Sequence, residues 1–195
     1  GGGGGGGSLP CVGVEPILHE VDAAALAGLR TVTRIATVCS PDLAAAVCIA
    51  RVARAERGAR GAAAAGVALR PAHDVAPPSL AALRRSLDAE GPSAANDAAS
   101  TALLDVAADA FDELAMQPGA ILAIRDGAHG SYLYSRPAPH APLAHWLADA
   151  GRRDFEWFAA VPAARLDAVA DPTGAGNAYA GALTAQLAAG AEPVA

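Results

Sequence analysis

The chain has 195 residues, a length that suits one domain. It carries 20 acidic and 14 basic residues for a formal net charge of −6, and every basic residue is arginine. The absence of lysine excludes a P-loop of the form GxxxxGKS or GxxxxGKT and Schiff-base chemistry, while the acidic balance argues against a nucleic-acid partner.

The first ten residues differ in composition from the rest. Seven glycines are followed by Ser8-Leu9-Pro10, a pattern typical of a flexible linker. The first residue is glycine, and the single methionine of the chain is Met116. We therefore expect a fragment whose true start lies elsewhere.

The next segment alternates between strand and helix patterns. Short apolar or β-branched runs predict strands, and apolar residues at helical spacing predict helices. Ser40 followed by Pro41 is typical of an N-cap and a first helical position. The expected elements are a strand at 11–14, a helix at 22–30, a strand at 33–39 and a helix from Ser40 to about Arg57.

Residues 58–78 have no clean hydrophobic period and contain several glycines and prolines. They predict a low-complexity insertion or a disordered loop. Helices are expected again at about 79–90 and at about 99–116. The second of these is amphipathic, and its apolar side consists of Leu103, Leu104, Val106, Ala110, Phe111 and Leu114.

The remainder begins with a hairpin pattern. The expected elements are strands at 120–124 and 131–135 around a glycine-bounded turn at 125–130, a loop at 136–154, a strand near 155–161 and a helix at 178–189. Strands that alternate with helices, together with one hairpin, predict an α/β fold with a mainly parallel sheet.

The cysteines indicate the compartment. The chain has three cysteines, Cys11, Cys39 and Cys48, and their spacing gives no CxxC pair. An odd number without such a pair favours reduced, buried thiols over a disulfide framework or a zinc site. No apolar run approaches the length of a membrane span. We therefore expect an intracellular, cytoplasmic protein with no membrane partner.

The segment 171–183, DPTGAGNAYAGAL, combines a glycine-rich turn with a helix of small residues. Two glycines beside an alanine allow successive backbone N–H groups to face one point, and the helix N-terminus adds partial positive charge. The segment therefore predicts an anion site suited to a phosphate. The simpler alternative is an ordinary glycine turn between a strand and a helix.

The same segment resembles the second signature of the PfkB (ribokinase-like) carbohydrate kinase family, D-T-x-G-A-G-D-x-F. Three further segments resemble the family in the same order along the chain: VGVEPI with ATVCSPDLAAAV, then AILAIRDGAHGSYLYS, then FEWFAAVPAARLDAVADPTGAG. The resemblance implies a ribokinase-like, doubly wound α/β fold with flanking helices. The family's N-terminal half and last segments have no counterpart here, so the expected organisation is a linker at 1–10 and a partial domain at 11–195.

The resemblance also implies an ATP-dependent kinase that phosphorylates a hydroxyl of a sugar or nucleoside and uses Mg2+. Carried over by position, Gly174, Ala175 and Gly176 would form the anion hole, Asn177 would stand at the base position, and Gly127 and Gly130 would lie beside the nucleotide. Asp171 and Thr173 fall where the family often holds a monovalent cation such as K+. Two alternatives stay open: Asp171 as a cap of the turn, and the two glycines as hairpin residues only.

Two departures from the family pattern bear on activity. Position 177 is asparagine where the family has aspartate, and an amide side chain cannot accept a proton near neutral pH. A eukaryotic branch of the family also reads GAGN, and its first strand is followed by a similar EP pair. The family's NxxE motif appears as Asp42-Leu43-Ala44-Ala45, with both signature residues changed.

Three functions remain open at this point. The chain is part of a sugar or nucleoside kinase, or of a non-catalytic PfkB-like protein that binds nucleotide or acts as a scaffold, or it is an unrelated α/β domain with a phosphate-binding turn. The sequence leaves the substrate's identity and the oligomeric state open.

Overall fold

A computed structural model describes residues 11–16, 23–63, 98–136, 157–164 and 174–189. Within these ranges the chain forms five strands and four helices. In chain order they are β1 (Gly13–Val14), α1 (Ala23–Thr33), β2 (Val38–Cys39), α2 (Leu43–Ala63), α3 (Ala98–Glu113), β3 (Ile121–Arg125), β4 (Ser131–Ser135), β5 (Trp157–Val161) and α4 (Ala175–Ala188). The predicted linker at 1–10 and the predicted helix at 79–90 lie outside the described residues.

The strands form one sheet in the order β1-β2-β3-β4-β5. The pairs β1–β2 and β2–β3 are parallel, whereas β4 is antiparallel to both of its neighbours. Four of the five described strands therefore point the same way, and β4 alone among them is reversed. This arrangement confirms the predicted α/β fold with a mainly parallel sheet.

Helices cover both faces of the sheet. Successive side chains of a strand point to opposite faces, so a single strand contributes to the core on each side. Leu122 and Ile124 of β3 belong to a large core that includes residues of α1, α2 and α3. Ile121 and Ala123 belong to a smaller core with Leu183 of α4. The predicted apolar side of α3 is confirmed: its other members are buried, and Leu104 packs, partly buried, against the same core.

The predicted strand at 33–39 is wrong over most of its length. Thr33 is the last residue of α1 and is buried, and its hydroxyl donates to the carbonyls of Leu29 (3.0 Å) and Leu114. Only Val38 and Cys39 pair with neighbouring strands. Thr33, the first β-branched residue of the predicted strand, thus ends a helix, because its contact with the segment after α3 outweighs a weak local preference.

The start and end of α2 also differ from the prediction. The N-cap is Asp42, whose Oδ1 accepts from Ala45 N at 2.7 Å, and not Ser40. The Ser40 hydroxyl is buried and donates to Ala123 O of β3 at 3.1 Å. The helix continues to Ala63, so the first part of the predicted insertion is helical, while 64–78 lies outside the described residues.

The helices in these ranges include none that combines the length and apolar character needed to cross a membrane.

Candidate functional site

The site begins at the N-terminus of α4. Gly174 is its N-cap and adopts a left-handed conformation (φ 79°, ψ −2°), and among the residues that the structure describes no side-chain hydrogen bond caps the helix end. The first amide to bond within the helix is that of Ala178, which donates to Gly174 O at 2.9 Å. The amides of Ala175, Gly176 and Asn177 therefore precede the helical ladder, as the first amides of a helix do. The sequence predicts a helix start between Ala175 and Ala178, and the helix begins at Ala175, with the turn residue Gly174 directly before it.

This helix end lies at the carboxyl edge of the sheet. Glu15 follows β1, Ser40 follows β2, and Arg125 is the last residue of β3. These three strands are parallel, so their carboxyl ends meet at one edge. In open α/β sheets, ligands bind in the crevice outside the carboxyl ends of the strands. The predicted anion turn therefore stands where this class of sheet places its ligand.

An ion pair joins two of these strand ends. Glu15 Oε1 lies 2.7 Å from Arg125 Nη2, and each side chain is 18% exposed. The guanidinium also donates from Nε and Nη2 to Ser40 O, at 3.2 and 3.1 Å. Arg125 is thus held in place by the ends of β1 and β2.

Gly176 makes room for this guanidinium. A Cβ at position 176 would overlap Arg125 Nη1 and come within 3.1 Å of Glu15 Oε1. The first turn of α4 therefore contacts a cation and a carboxylate at once. The lack of a side chain at 176 is what allows this approach.

Asn177 is the last member of a cluster that consists of Glu15, Arg125, Gly176 and Asn177. Its amide is assigned with the nitrogen toward Glu15, because the reverse orientation would bring the amide oxygen against the carboxylate oxygens. In this orientation the nitrogen donates to Glu15 Oε2 at 2.5 Å and to Oε1 at 3.0 Å. The Glu15 carboxylate thus receives hydrogen bonds from Arg125 and from Asn177. A negative side chain beside a helix N-terminus, where Glu15 lies, is also favoured by the helix dipole.

Gly127 and Gly130 lie in the β3–β4 connection at the same edge. Gly127–His129 form a 3-10 turn, and the two glycines have φ of 56° and 102°. A Cβ on Gly130 would overlap the Val161 carbonyl at the end of β5, whereas Gly127 faces open space. Gly130 therefore has a packing role, and Gly127 is accessible on the surface.

Tyr179 of α4 contacts the first residue of β4, directly after this connection. It lies one turn after Gly176, and its hydroxyl donates to Ser131 Oγ at 2.7 Å. Burial raises the pKa of Tyr179, and its hydrogen bond with Ser131 and the charge of Arg125 oppose that rise. The tyrosine is therefore neutral at physiological pH and serves as a hydrogen-bond donor.

Asp171 and Thr173 lie outside the described residues. The side chains at the NxxE positions are engaged elsewhere. Asp42, at the first NxxE position, is engaged as the cap of α2, and Ala45, at the last, is buried. In the described part of the chain, no group of three or more His, Cys, Asp or Glu residues is arranged to hold a metal ion.

Two residues of the cluster were missed as functional groups by sequence reasoning, namely Glu15 and Arg125. Each stands directly after an apolar run that forms a strand. A charged residue at the carboxyl end of a parallel strand is the signal that could have found them.

Comparison of the chain with protein-family models, with curated proteins and with solved structures gives no significant match.

Proposed function

We propose that the chain belongs to an ATP-dependent kinase that phosphorylates a hydroxyl of a sugar or nucleoside. The observation that carries the proposal is the N-terminus of α4 at the carboxyl edge of the sheet, where the first amides precede the helical ladder and the Arg125 guanidinium lies against Gly176. Backbone amides and a guanidinium together form a phosphate-binding combination. The cytoplasmic location expected from the sequence belongs to the same proposal.

The chemistry fits phosphoryl transfer better than other uses of an anion site. Such transfer relies on positioning and on stabilising negative charge, with little covalent work for the protein. The amides of Ala175, Gly176 and Asn177 would face the transferred phosphoryl group, and Arg125 would supply the positive charge that lysine supplies in other nucleotide sites.

A ribokinase-like fold is the finer structural part of the proposal. The four ordered sequence resemblances support it, and so does the arrangement of strand, helix, hairpin and glycine-turn helix in the described ranges. The predicted nucleotide-side glycines, Gly127 and Gly130, share an edge with the turn.

Mg2+ would enter this site with the nucleotide. Mg2+ is commonly held by one or two carboxylates together with substrate phosphates and water, and Glu15 is a carboxylate at the helix end. Because Glu15 is paired with Arg125, we assign Mg2+ to the nucleotide phosphates and water and not to Glu15. The proposed K+ position, at Asp171 and Thr173, lies outside the described residues.

A non-catalytic nucleotide-binding or scaffold protein is the second candidate. Two observations favour it: position 177 carries an amide that is bonded to Glu15, and Asp42 is engaged as a helix cap. Under this alternative the turn would bind nucleotide without turning it over.

The test is nucleotide binding and turnover by the full-length protein. Calorimetry with Mg-ATP and a non-hydrolysable ATP analogue measures binding, and ADP release with a panel of sugars and nucleosides measures transfer. Arg125→Gln should weaken ATP binding by about 10- to 100-fold, the equivalent of a lost charge-assisted hydrogen bond. Arg54→Gln, which removes the same charge from a pair with Asp109 on α2 and α3, is the matched control. Equal affinities for the two variants, or no ATP binding by the wild type, would contradict the proposal.

A further inference from the structure

The Glu15 carboxylate lies against Gly176 and Asn177 in the first turn of α4, the turn proposed above to bind phosphate. We propose that Glu15, at the end of β1, accepts the proton of the attacking hydroxyl, and that Asn177 holds Glu15 in place for that role. The inference rests on the proposed kinase function and names a catalytic residue for it.

The need for such a group follows from the reaction. A hydroxyl that attacks phosphorus must lose its proton, and a positioned base accelerates this type of step by about 10²- to 10⁴-fold. Asn177 cannot take the proton, because its amide has no basic atom near neutral pH. A carboxylate can.

Geometry brings that carboxylate to the same place. Both Glu15 oxygens lie within 3.0 Å of the Asn177 amide nitrogen, so the carboxylate sits at the tip of the side chain on the first turn of α4. It is also close to Gly176, since a Cβ there would be 3.1 Å from Oε1. A phosphate on the amides of this turn would therefore be adjacent to Glu15.

The two side chains are complementary in charge. The Asn177 amide donates a hydrogen bond to Glu15. Of these two side chains, only Glu15 is a carboxylate. An aspartate at 177 would put a second carboxylate within hydrogen-bond distance of the first, and two such groups cannot both ionise without a large cost. The structure is thus consistent with a proton acceptor on β1 and an amide on α4.

Arg125 gives Glu15 a second fixed contact. Its Nη2 is 2.7 Å from Oε1, and its hydrogen bonds to Ser40 O hold the guanidinium at the sheet edge. The same cation would face both the phosphoryl group and the carboxylate. It therefore keeps the two anionic groups of the reaction side by side.

The proposed step transfers the γ-phosphoryl group of ATP and moves one proton. The acceptor hydroxyl oxygen forms a bond to the γ-phosphorus of ATP, and the bond between that phosphorus and the β,γ-bridging oxygen breaks with its electron pair leaving on ADP. The hydroxyl proton passes to a carboxylate oxygen of Glu15 and is released to solvent after the product leaves.

The experiment compares wild type, Glu15→Gln, Asn177→Asp and the double variant E15Q/N177D in the full-length protein. The readouts are kcat with the best acceptor of the panel, the Kd of ATP and the temperature of unfolding. Glu56→Gln is the matched control, because it also neutralises a carboxylate near an arginine, Arg30 at 3.4 Å, away from the site.

Glu15→Gln should lower kcat by about 10²- to 10⁴-fold and change the ATP Kd by less than about threefold. Asn177→Asp alone should not raise kcat, and it should lower the unfolding temperature because two carboxylates then meet. The double variant exchanges the amide and the carboxylate, so it should recover at least about tenfold of the lost kcat and restore the unfolding temperature.

The outcomes separate this inference from the kinase proposal. Unchanged kcat in Glu15→Gln overturns the role of Glu15 and leaves the kinase standing. ATP binding by the wild type without transfer to any acceptor also overturns it, and favours the non-catalytic alternative. Absence of ATP binding overturns the proposed function itself. If Glu15→Gln does not fold, Glu15→Asp carries the test, because it keeps a carboxylate but shortens the side chain by one methylene. A folded Glu15→Asp variant with less than about a hundredth of wild-type kcat and an unchanged ATP Kd supports a positioned base. Wild-type kcat in that folded variant overturns the role of Glu15.

Discussion

The hydroxyl of Tyr179 on α4 donates a hydrogen bond of 2.7 Å to the hydroxyl of Ser131, the first residue of β4. Ser131 is 3% exposed, so water does not readily replace a missing partner. This bond joins α4, which begins directly after Gly174, to the start of β4. It therefore helps to fix the distance between α4 and the sheet.

Replacing Tyr179 with phenylalanine should cost about 1 to 2 kcal/mol in the free energy of unfolding, because the bond is lost and a buried hydroxyl is left. ATP binding should weaken several-fold as the helix end loosens. Tyr134→Phe is the control, since the Tyr134 hydroxyl accepts from Arg136 at the other end of β4. It should lower stability without changing the ATP Kd. Equal effects of both variants on ATP binding would argue against this coupling.

Two glycines of α4 offer a matched pair of substitutions. Gly181 is exposed, and a Cβ there meets nothing within 4 Å, so Gly181→Ala should stabilise the protein by about 0.5 to 1 kcal/mol. Gly176→Ala would press on the end of the Arg125 side chain, which can move aside. It should therefore cost little stability but weaken ATP binding at least about tenfold. Chemical denaturation and calorimetry distinguish the two effects, and a Gly176→Ala variant with wild-type affinity would exclude Arg125 from the phosphate site.

The glycines of the β3–β4 connection should differ sharply. Gly130 has φ 102° and ψ −134°, and a Cβ there would overlap backbone atoms of Val161 and Ala163. Gly130→Ala should cost about 3 kcal/mol or more through strain and displaced backbone. Gly127→Ala, at φ 56° in open space, should cost only about 1 kcal/mol. Similar unfolding free energies for the two variants would contradict the packing described for Gly130.

Asp42 is expected to act as a helix cap and not as a magnesium-positioning residue. Asp42→Ala removes the acceptor of the Ala45 amide and should lower the free energy of unfolding by about 1 kcal/mol. Asp42→Asn keeps an acceptor and should be close to neutral. Neither should change the ATP Kd at saturating Mg2+. A loss of Mg2+-dependent binding at unchanged stability would instead assign Asp42 to the nucleotide site.

Stability should fall at alkaline pH. Burial raises the pKa of the Cys39 thiol from 9.0 to about 12, and burial, with the charge and hydrogen bond of Asp126, raises the pKa of Tyr132 from 10.0 to about 12. Between about pH 9 and 12 the unfolded chain therefore binds fewer protons than the folded protein, so the free energy of unfolding decreases as pH rises. Denaturant titrations across this range should show a shallower decrease for Tyr132→Phe than for wild type.

Local pattern was enough to predict much of the fold. The helical spacing of apolar residues in α3, the hairpin around Gly127 and Gly130, and the glycine turn before α4 each follow from neighbouring residues alone. Such features depend on backbone conformational preference and on which face of one element is apolar, and both properties are present in a short stretch of sequence.

The sequence by itself determined the α/β alternation and the place of a glycine turn before a helix of small residues. Tertiary structure alone decided that Thr33 ends a helix, that Asp42 rather than Ser40 caps α2, and that Glu15, Arg125 and Asn177 form one cluster. The reason is physical: Thr33 bonds to Leu114 O, Ser40 is drawn away from the helix end by Ala123 O, and Glu15 pairs with Arg125, so each outcome depends on residues far apart in the chain. The cluster forms because parallel strands bring their carboxyl ends to one edge of a sheet. No window of neighbouring residues contains that geometry.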